Sequence, residues 1–220
     1  MQWTARGPFV PPALLDRLDR AHLRRAAISY AAHGWPVTPG AWLTGHRFAC
    51  GRPDCPIMSG HPALESWADN ATTDLGRVQA WWRRRPYAVL LTTGGPVDAL
   101  EVPAVLGRRV LDPAGGADSV GPVAVTAAGR YMFLVRAGVP LRTELDSQSD
   151  IVRHGPGSWI PAAPSRLPDG PVRWAVDPER TGWRLPDAEL VQTLLTGALG
   201  TVRTTRTVVP RQWSTARRAA

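Results

Sequence analysis

Four residues in one short stretch, His46, Cys50, Cys55 and His61, offer two imidazole nitrogens and two thiolate sulfurs. Tetrahedral zinc takes such a donor set, and a segment without regular structure gains the most from a metal clip. The spacings are not those of a standard zinc finger. The same residues also suit two free thiols packed beside Trp42 and Trp67, with His61 simply preceding Pro62. A second point of chemistry is Glu101, in Leu100-Glu101-Val102-Pro103, shortly after Leu90-Leu91-Thr92-Thr93 and Gly94-Gly95. Two acids at alternate positions of a strand share a face and can hold a pair of divalent metals. Here the alternate position is Pro103, whose side chain can ligate nothing. Asp98 stands an odd number of residues upstream and so points to the other face. Glu101 by itself also reads as a solvated acid at a strand end. Ser147, Ser149 and His154 have the types for nucleophilic catalysis, but no nucleophile-elbow motif accompanies them, which argues against a hydrolase. Gly94-Gly95 lacks the spacing of a dinucleotide fingerprint.

These residues need elements to hold them. Pro11-Pro12 precede an amphipathic helix expected from about Ala13 to His33, with Leu14, Leu15, Leu18, Leu23, Ala26, Ala27 and Tyr30 at helical spacing and Gly34 as the stop. Residues 35–39 read as a short extended edge segment, and Gly40 to Pro62 as a loop region. Thr72-Thr73-Asp74 cap a helix that runs through Val78, Trp81 and Trp82 to Arg85, before Pro86. Strands are expected at Tyr87–Thr92 and Ala99–Val102, a helix from Pro103 to about Leu111, and a Gly-rich loop over 112–121. A hairpin of Pro122–Thr126 with Tyr131–Val135 follows, then strands near Ile151, Trp159 and Val172, and a last helix over about Pro186–Ala198. Helices interleaved with an antiparallel hairpin favour an α+β fold over a doubly wound parallel sheet.

The chain has 220 residues, 44% of them hydrophobic, enough for one ordinary core with a small appended lobe. No apolar run reaches the roughly 20 residues of a membrane span, so no membrane partner is expected. The N-terminus lacks a basic-then-apolar leader pattern, and the two cysteines fit a reducing compartment, so a cytoplasmic location is expected. All 26 basic residues are Arg, which excludes a P-loop lysine, a Schiff-base lysine and an amine nucleophile. Arginine's planar fork suits phosphate, although a GC-rich coding bias also favours Arg over Lys. Five of the +8 formal charges lie in the acid-free stretch from Gly200 to Ala220, as Arg203, Arg206, Arg211, Arg217 and Arg218. Most of the ten tryptophans sit at core-like positions, while Trp159 and Trp213, in Gly-rich and Arg-rich surroundings, are the better candidates for stacking on bases.

Several phrases taken together resemble the prim-pol branch of the archaeo-eukaryotic primase superfamily, the N-terminal domain of bifunctional DNA primase/polymerases. They are Ala31-Ala32-His33-Gly34-Trp35-Pro36-Val37-Thr38-Pro39, Cys50-Gly51-Arg52-Pro53-Asp54-Cys55 with Gly60-His61-Pro62, Trp67, Ala71-Thr72-Thr73-Asp74, Trp81-Trp82, Thr93-Gly94, His154-Gly155-Pro156-Gly157-Ser158-Trp159 and Ala163-Pro164-Ser165. The resemblance implies a mixed sheet with flanking helices and an N-terminal helical and loop module, covering residues 1–199, with 200–220 as a flexible Arg-rich tail. It implies a metal-dependent nucleotidyl transfer site built from an acid-x-acid pair, a histidine and a third acid. Carried over, these fall on Glu101, on Pro103, on Tyr131 in Gly129-Arg130-Tyr131, and on Asp150 with a register uncertain by two residues. A further cysteine expected two positions before Cys50 is replaced by Phe48, so His46 has to substitute in any zinc site. Two lost ligands imply a catalytically inactive domain that binds nucleic acid or nucleotide through Arg130, Arg153, Trp159, Arg203, Arg206 and Arg211, in replication, plasmid maintenance or regulation. Magnesium or manganese is implied only if Glu101 and Asp150 remain functional. Two alternatives stay open: an active primase-polymerase whose altered site gathers Glu101, Asp98 and Asp150, and a protein-interaction module on a primase-like fold.

Overall fold

A computed structural model describes residues 12–112 and 120–200 of the chain, and for residues 12–17 the backbone only. The expected Arg-rich tail, with Arg203, Arg206, Arg211 and Trp213, lies outside the described residues, as does most of the Gly-rich loop.

The first helix, α1 (Pro12–Ala32), ends where Gly34 adopts φ +79 and the Gly34 amide donates back to the Ala31 carbonyl. That left-handed turn carries little steric cost only for glycine. Strand β1 (Val37–Gly40) follows at once, and the hairpin of β2 (Trp42–Thr44) and β3 (Arg47–Ala49) comes next, inside the stretch expected to be loop. A one-turn helix, α2 (Trp67–Asn70), precedes α3 (Leu75–Arg84). The Asp74 carboxylate accepts from the Arg77 amide at 2.7 Å, which satisfies one of the free donors of the first turn of α3.

Strand β4 (Ala88–Thr93) turns through Gly94 into β5 (Val97–Pro103), which leads directly into α4 (Ala104–Val110). The hairpin of β6 (Val123–Val125) and β7 (Arg130–Arg136) is present as expected. After it come a one-turn α5 (Thr143–Asp146), β8 (Val152–His154), β9 (Ser158–Pro161), the two-residue strands β10 (Arg166–Leu167) and β11 (Gly170–Pro171), β12 (Arg173–Val176) and α6 (Ala188–Leu199). The fold is α+β. A five-stranded sheet runs in the order β12-β6-β7-β5-β8 and a three-stranded sheet in the order β1-β4-β9, with every pairing antiparallel.

The central strand β5 divides the core. Val97 and Ala99 face a cluster with Trp35, Trp82, Leu91 and Ile160, packed under α1 and α3. Leu100 and Val102 face the opposite cluster, with Leu106 of α4 and Val191 and Leu195 of α6. A strand covered on both sides has no solvent face, and all six residues of β4 are likewise buried. Burying each large side chain here contributes about 1.5–3 kcal/mol. Tyr131 packs on Gly107, where an added Cβ meets its ring, so α4 lies close against β7.

Candidate functional site

Glu101 sits on β5 opposite Met132 of β7 and Val152 of β8, on the face it shares with Ala99. Antiparallel partners share a face, and the next same-face positions bring Arg130 from β7 and His154 from β8 beside it. Arg130 Nε donates to Glu101 Oε1 at 2.6 Å, and His154 Nε2 lies 2.7 Å from Oε2. An ionised Glu101 requires the proton on His154 Nε2, which leaves Nδ1 to meet the Ser158 hydroxyl at 3.1 Å. His154 is fully buried and Glu101 is 6% exposed. Burial pushes the Glu101 pKa up, but the hydrogen bond and charge of His154 and the charge of Arg130 outweigh it and hold the carboxyl below its ordinary range.

Asp98 occupies the other face of β5, as its odd separation requires. Its carboxylate accepts from the amides of Gly94 at 3.0 Å and Gly138 at 3.2 Å and from Arg153 Nη2 at 2.7 Å. Buried to 1% exposure, it fastens the β4–β5 turn to the chain beyond β7. Asp150 is exposed, and what it brings to Glu101 is its backbone carbonyl, which accepts from Arg130 Nη2 at 2.7 Å. Glu101, Asp98 and Asp150 therefore do not gather as a carboxylate cluster. Tyr131 pairs with Val102 and faces α4, on the side of the sheet away from Glu101. Arg130 and Arg153, expected on nucleic acid, are each engaged with a buried carboxylate. Trp159 is 9% exposed on β9, which leaves little of its ring for stacking on a base.

A second group forms after the β2–β3 hairpin. Cys50, Cys55 and His61 place their ligand atoms within 4.8 Å of one another. His61 Nδ1 donates to the Ser59 carbonyl at 2.8 Å, so Nε2 is turned towards Cys55 Sγ at 3.4 Å. A backbone carbonyl on the far nitrogen is the usual way a ligating imidazole is oriented. Arg52 spans both thiols, Nε at 3.5 Å from Cys50 Sγ and Nη2 at 3.6 Å from Cys55 Sγ. Burial raises the Cys50 pKa, but hydrogen bonds from Arg52 and His61 outweigh it and bring it down to about 6. Two sulfurs and one oriented nitrogen fit a borderline-soft metal such as zinc. His46 is exposed in the hairpin turn beside Gly45 and does not join the group. Among the described residues this is the one cluster of His, Cys, Asp or Glu with metal-holding geometry.

Sequence reasoning missed Arg52 between the thiols, although its place in Cys50-Gly51-Arg52-Pro53-Asp54-Cys55 could have suggested it. It also missed the pairing of Arg130 and His154 with Glu101, for which no local signal exists.

The family model for the N-terminal domain of bifunctional DNA primase/polymerases matches residues 27–190. No curated protein matches the chain.

Proposed function

Because the chain belongs to the prim-pol family of bifunctional DNA primase/polymerase N-terminal domains, we propose that it binds nucleic acid or nucleotide without catalysing nucleotidyl transfer. The observation that carries this reading is the state of Glu101: both carboxylate oxygens are taken, one by Arg130 and one by His154. Two-metal transfer needs acids with free oxygens directed at the ions, since hard cations replace water only with other oxygen ligands. Pro103 supplies none, and the built-in cation Arg130 neutralises the one acid in the place where external cations would do so. A guanidinium cannot activate a 3′ hydroxyl or bridge the oxygens of a triphosphate as a metal does.

Binding is supported by the family and by the all-Arg basic composition. The acid-free tail from Gly200 is its natural electrostatic anchor, because like charges that cannot neutralise one another stay solvated until a polyanion meets them. Cys50, Cys55 and His61 hold a zinc ion in this reading, and the ion's part is structural, closing the loop onto β1 and the β2–β3 hairpin. The Ser59 carbonyl keeps the His61 ligand nitrogen unprotonated, and Arg52 offsets the charge of the two thiolates.

Primer extension and de novo synthesis assays with magnesium and with manganese test inactivity, and no incorporation above a no-enzyme control is expected. Metal-dependent incorporation that disappears in Glu101→Ala would overturn it. Binding is tested by titrating single-stranded DNA at several salt concentrations, with full-length protein against a chain ending at Gly200. Five tail arginines on phosphates give a log–log salt slope of about −3.5 on single strands. Equal affinity and slope after truncation would remove the tail as the anchor.

A further inference from the structure

Away from both groups, a cavity of about 270 Å³ opens between α1 and the segment from Pro164 to Arg173. Its apolar floor is Leu23, Pro164, Pro171 and Val172, and its polar rim is Asp19, His22, Arg166 and Arg173. Arg166 and Arg173 form no ion pair among the described residues, unlike Arg130 and Arg153. Two guanidinium groups and, among the described residues that line the cavity, a single acid leave a net positive charge at a concave site.

The walls are held before any ligand arrives. The Tyr30 hydroxyl donates to the Ala163 carbonyl at 2.5 Å and ties α1 to the opposite wall. Ser165 Oγ accepts from the Val89 amide at 2.8 Å, and the Val172 amide donates to the Ser165 carbonyl at 2.8 Å, so the segment carrying both arginines is fastened to β4. A site whose frame is already fixed loses less entropy on binding.

We propose that this cavity binds a sugar-phosphate unit: the phosphate on Arg166 and Arg173, a sugar hydroxyl donating to Asp19, and the sugar face against the apolar floor. The planar fork of arginine matches phosphate oxygens. Asp19 repels inorganic phosphate and a phosphate ester alike, but only the ester brings a neighbouring sugar hydroxyl that it can accept from, which favours the ester. The volume lies at the small end for ligand sites, which suits one such unit and not a dinucleotide. The unit can be a free sugar phosphate or mononucleotide, or one residue of a strand. The site shares no residue with the Glu101 group or the thiol group, and the proposal does not depend on the tail or on inactivity.

Calorimetric or NMR titrations of the full chain with inorganic phosphate, ribose 5-phosphate, adenosine 5′-monophosphate and a short oligothymidylate test it. Ribose 5-phosphate should bind more tightly than phosphate, and Arg166→Ala with Arg173→Ala should weaken it by about tenfold or more, one such step per 1.4 kcal/mol. Asp19→Asn should erase the preference for ribose 5-phosphate over phosphate. Both arginines and Asp19 are exposed, so these variants keep the fold, which a thermal melt checks. Loss of mononucleotide and oligothymidylate binding together identifies a strand residue as the ligand, and loss of mononucleotide binding alone identifies a free one. No ribose 5-phosphate binding at millimolar concentration, or equal binding by wild type and the double arginine variant, overturns the site. Oligothymidylate binding unchanged by the double variant, with no ribose 5-phosphate bound, sinks the cavity but leaves the nucleic-acid reading standing.

Discussion

The Glu101 group and the thiol group are both built around anions, and they handle their charge in opposite ways. Glu101 is enclosed between strands, ion-paired with Arg130 and hydrogen-bonded to His154. Cys50, Cys55 and His61 lie on a loop after a small hairpin, with ligand atoms converging and only the long contacts of Arg52 between the sulfurs. The one acid at the centre of the sheet thus has both oxygens engaged by side chains of the protein, while the thiol group leaves three ligand atoms converging on one point.

The largest effect should come from unpairing Glu101. Replacing Arg130 with Met leaves a buried carboxylate short of a charged partner and should cost about 3–5 kcal/mol, read by urea denaturation. The triple change Arg130→Met, Glu101→Leu and His154→Leu should recover most of it, because no uncompensated charge remains. If the single variant is neutral, Glu101 is less enclosed than its contacts indicate and the contrast between the groups fails.

The second effect belongs to the thiol group. Untagged protein should carry about one zinc per chain, measured by elemental analysis. Free zinc at about a hundredfold over its Kd should add about 2.7 kcal/mol, or roughly 5–11 °C in thermal midpoint for a chain of this size. Cys55→Ser and His61→Ala should each abolish that shift, whereas His46→Ala should not. Affinity for zinc should also weaken as pH falls below about 6, where protons compete with the metal for the free Cys50 sulfur. A metal-free protein whose melting is unaffected by chelator would mean that the thiols only pack.

The pH dependence of stability separates the groups further. The Glu101 pKa is lowered by folding, so its contribution is fully present above the unfolded carboxylate value, about 4.3, and is lost as pH falls through the lower folded value. Glu101→Gln should flatten the acid limb of stability against pH below about 4.3. An unchanged acid limb would show that Glu101 is not held ionised by its partners. The smallest effect is the yardstick: Arg136 and Asp187 form an exposed pair at 2.7 Å, and Arg136→Ala should cost under about 1 kcal/mol.

Much of the frame was legible in the residue order. The α1 helix with its Gly34 stop, α3 under its Asp74 cap, β4, β5 and the β6–β7 hairpin all follow from local patterns of apolar spacing, capping and turn residues. The β2–β3 hairpin lies in a stretch that reads as loop, because strands of three residues are too short for an alternating pattern to register. The two-residue β10 and β11 were invisible for the same reason. Family membership was also legible, since it rests on ordered phrases along one chain and the matched span covers them.

Residue types by themselves determined that Pro103 cannot be a ligand, that the chain has no lysine chemistry, and that two thiols and a histidine stand close enough in sequence to meet. Tertiary structure decided what Glu101 became. Arg130 and His154 lie 29 and 53 residues away from it, and only the registers of β5 with β7 and with β8 bring them to its two oxygens. Had the register with β7 been shifted by one residue, Gly129 or Tyr131 would have taken the place of Arg130, and a one-residue shift of β8 would have put Arg153 or Gly155 in the place of His154. Local pattern is short-ranged, whereas the neutralisation of a buried charge is settled between strands distant in sequence.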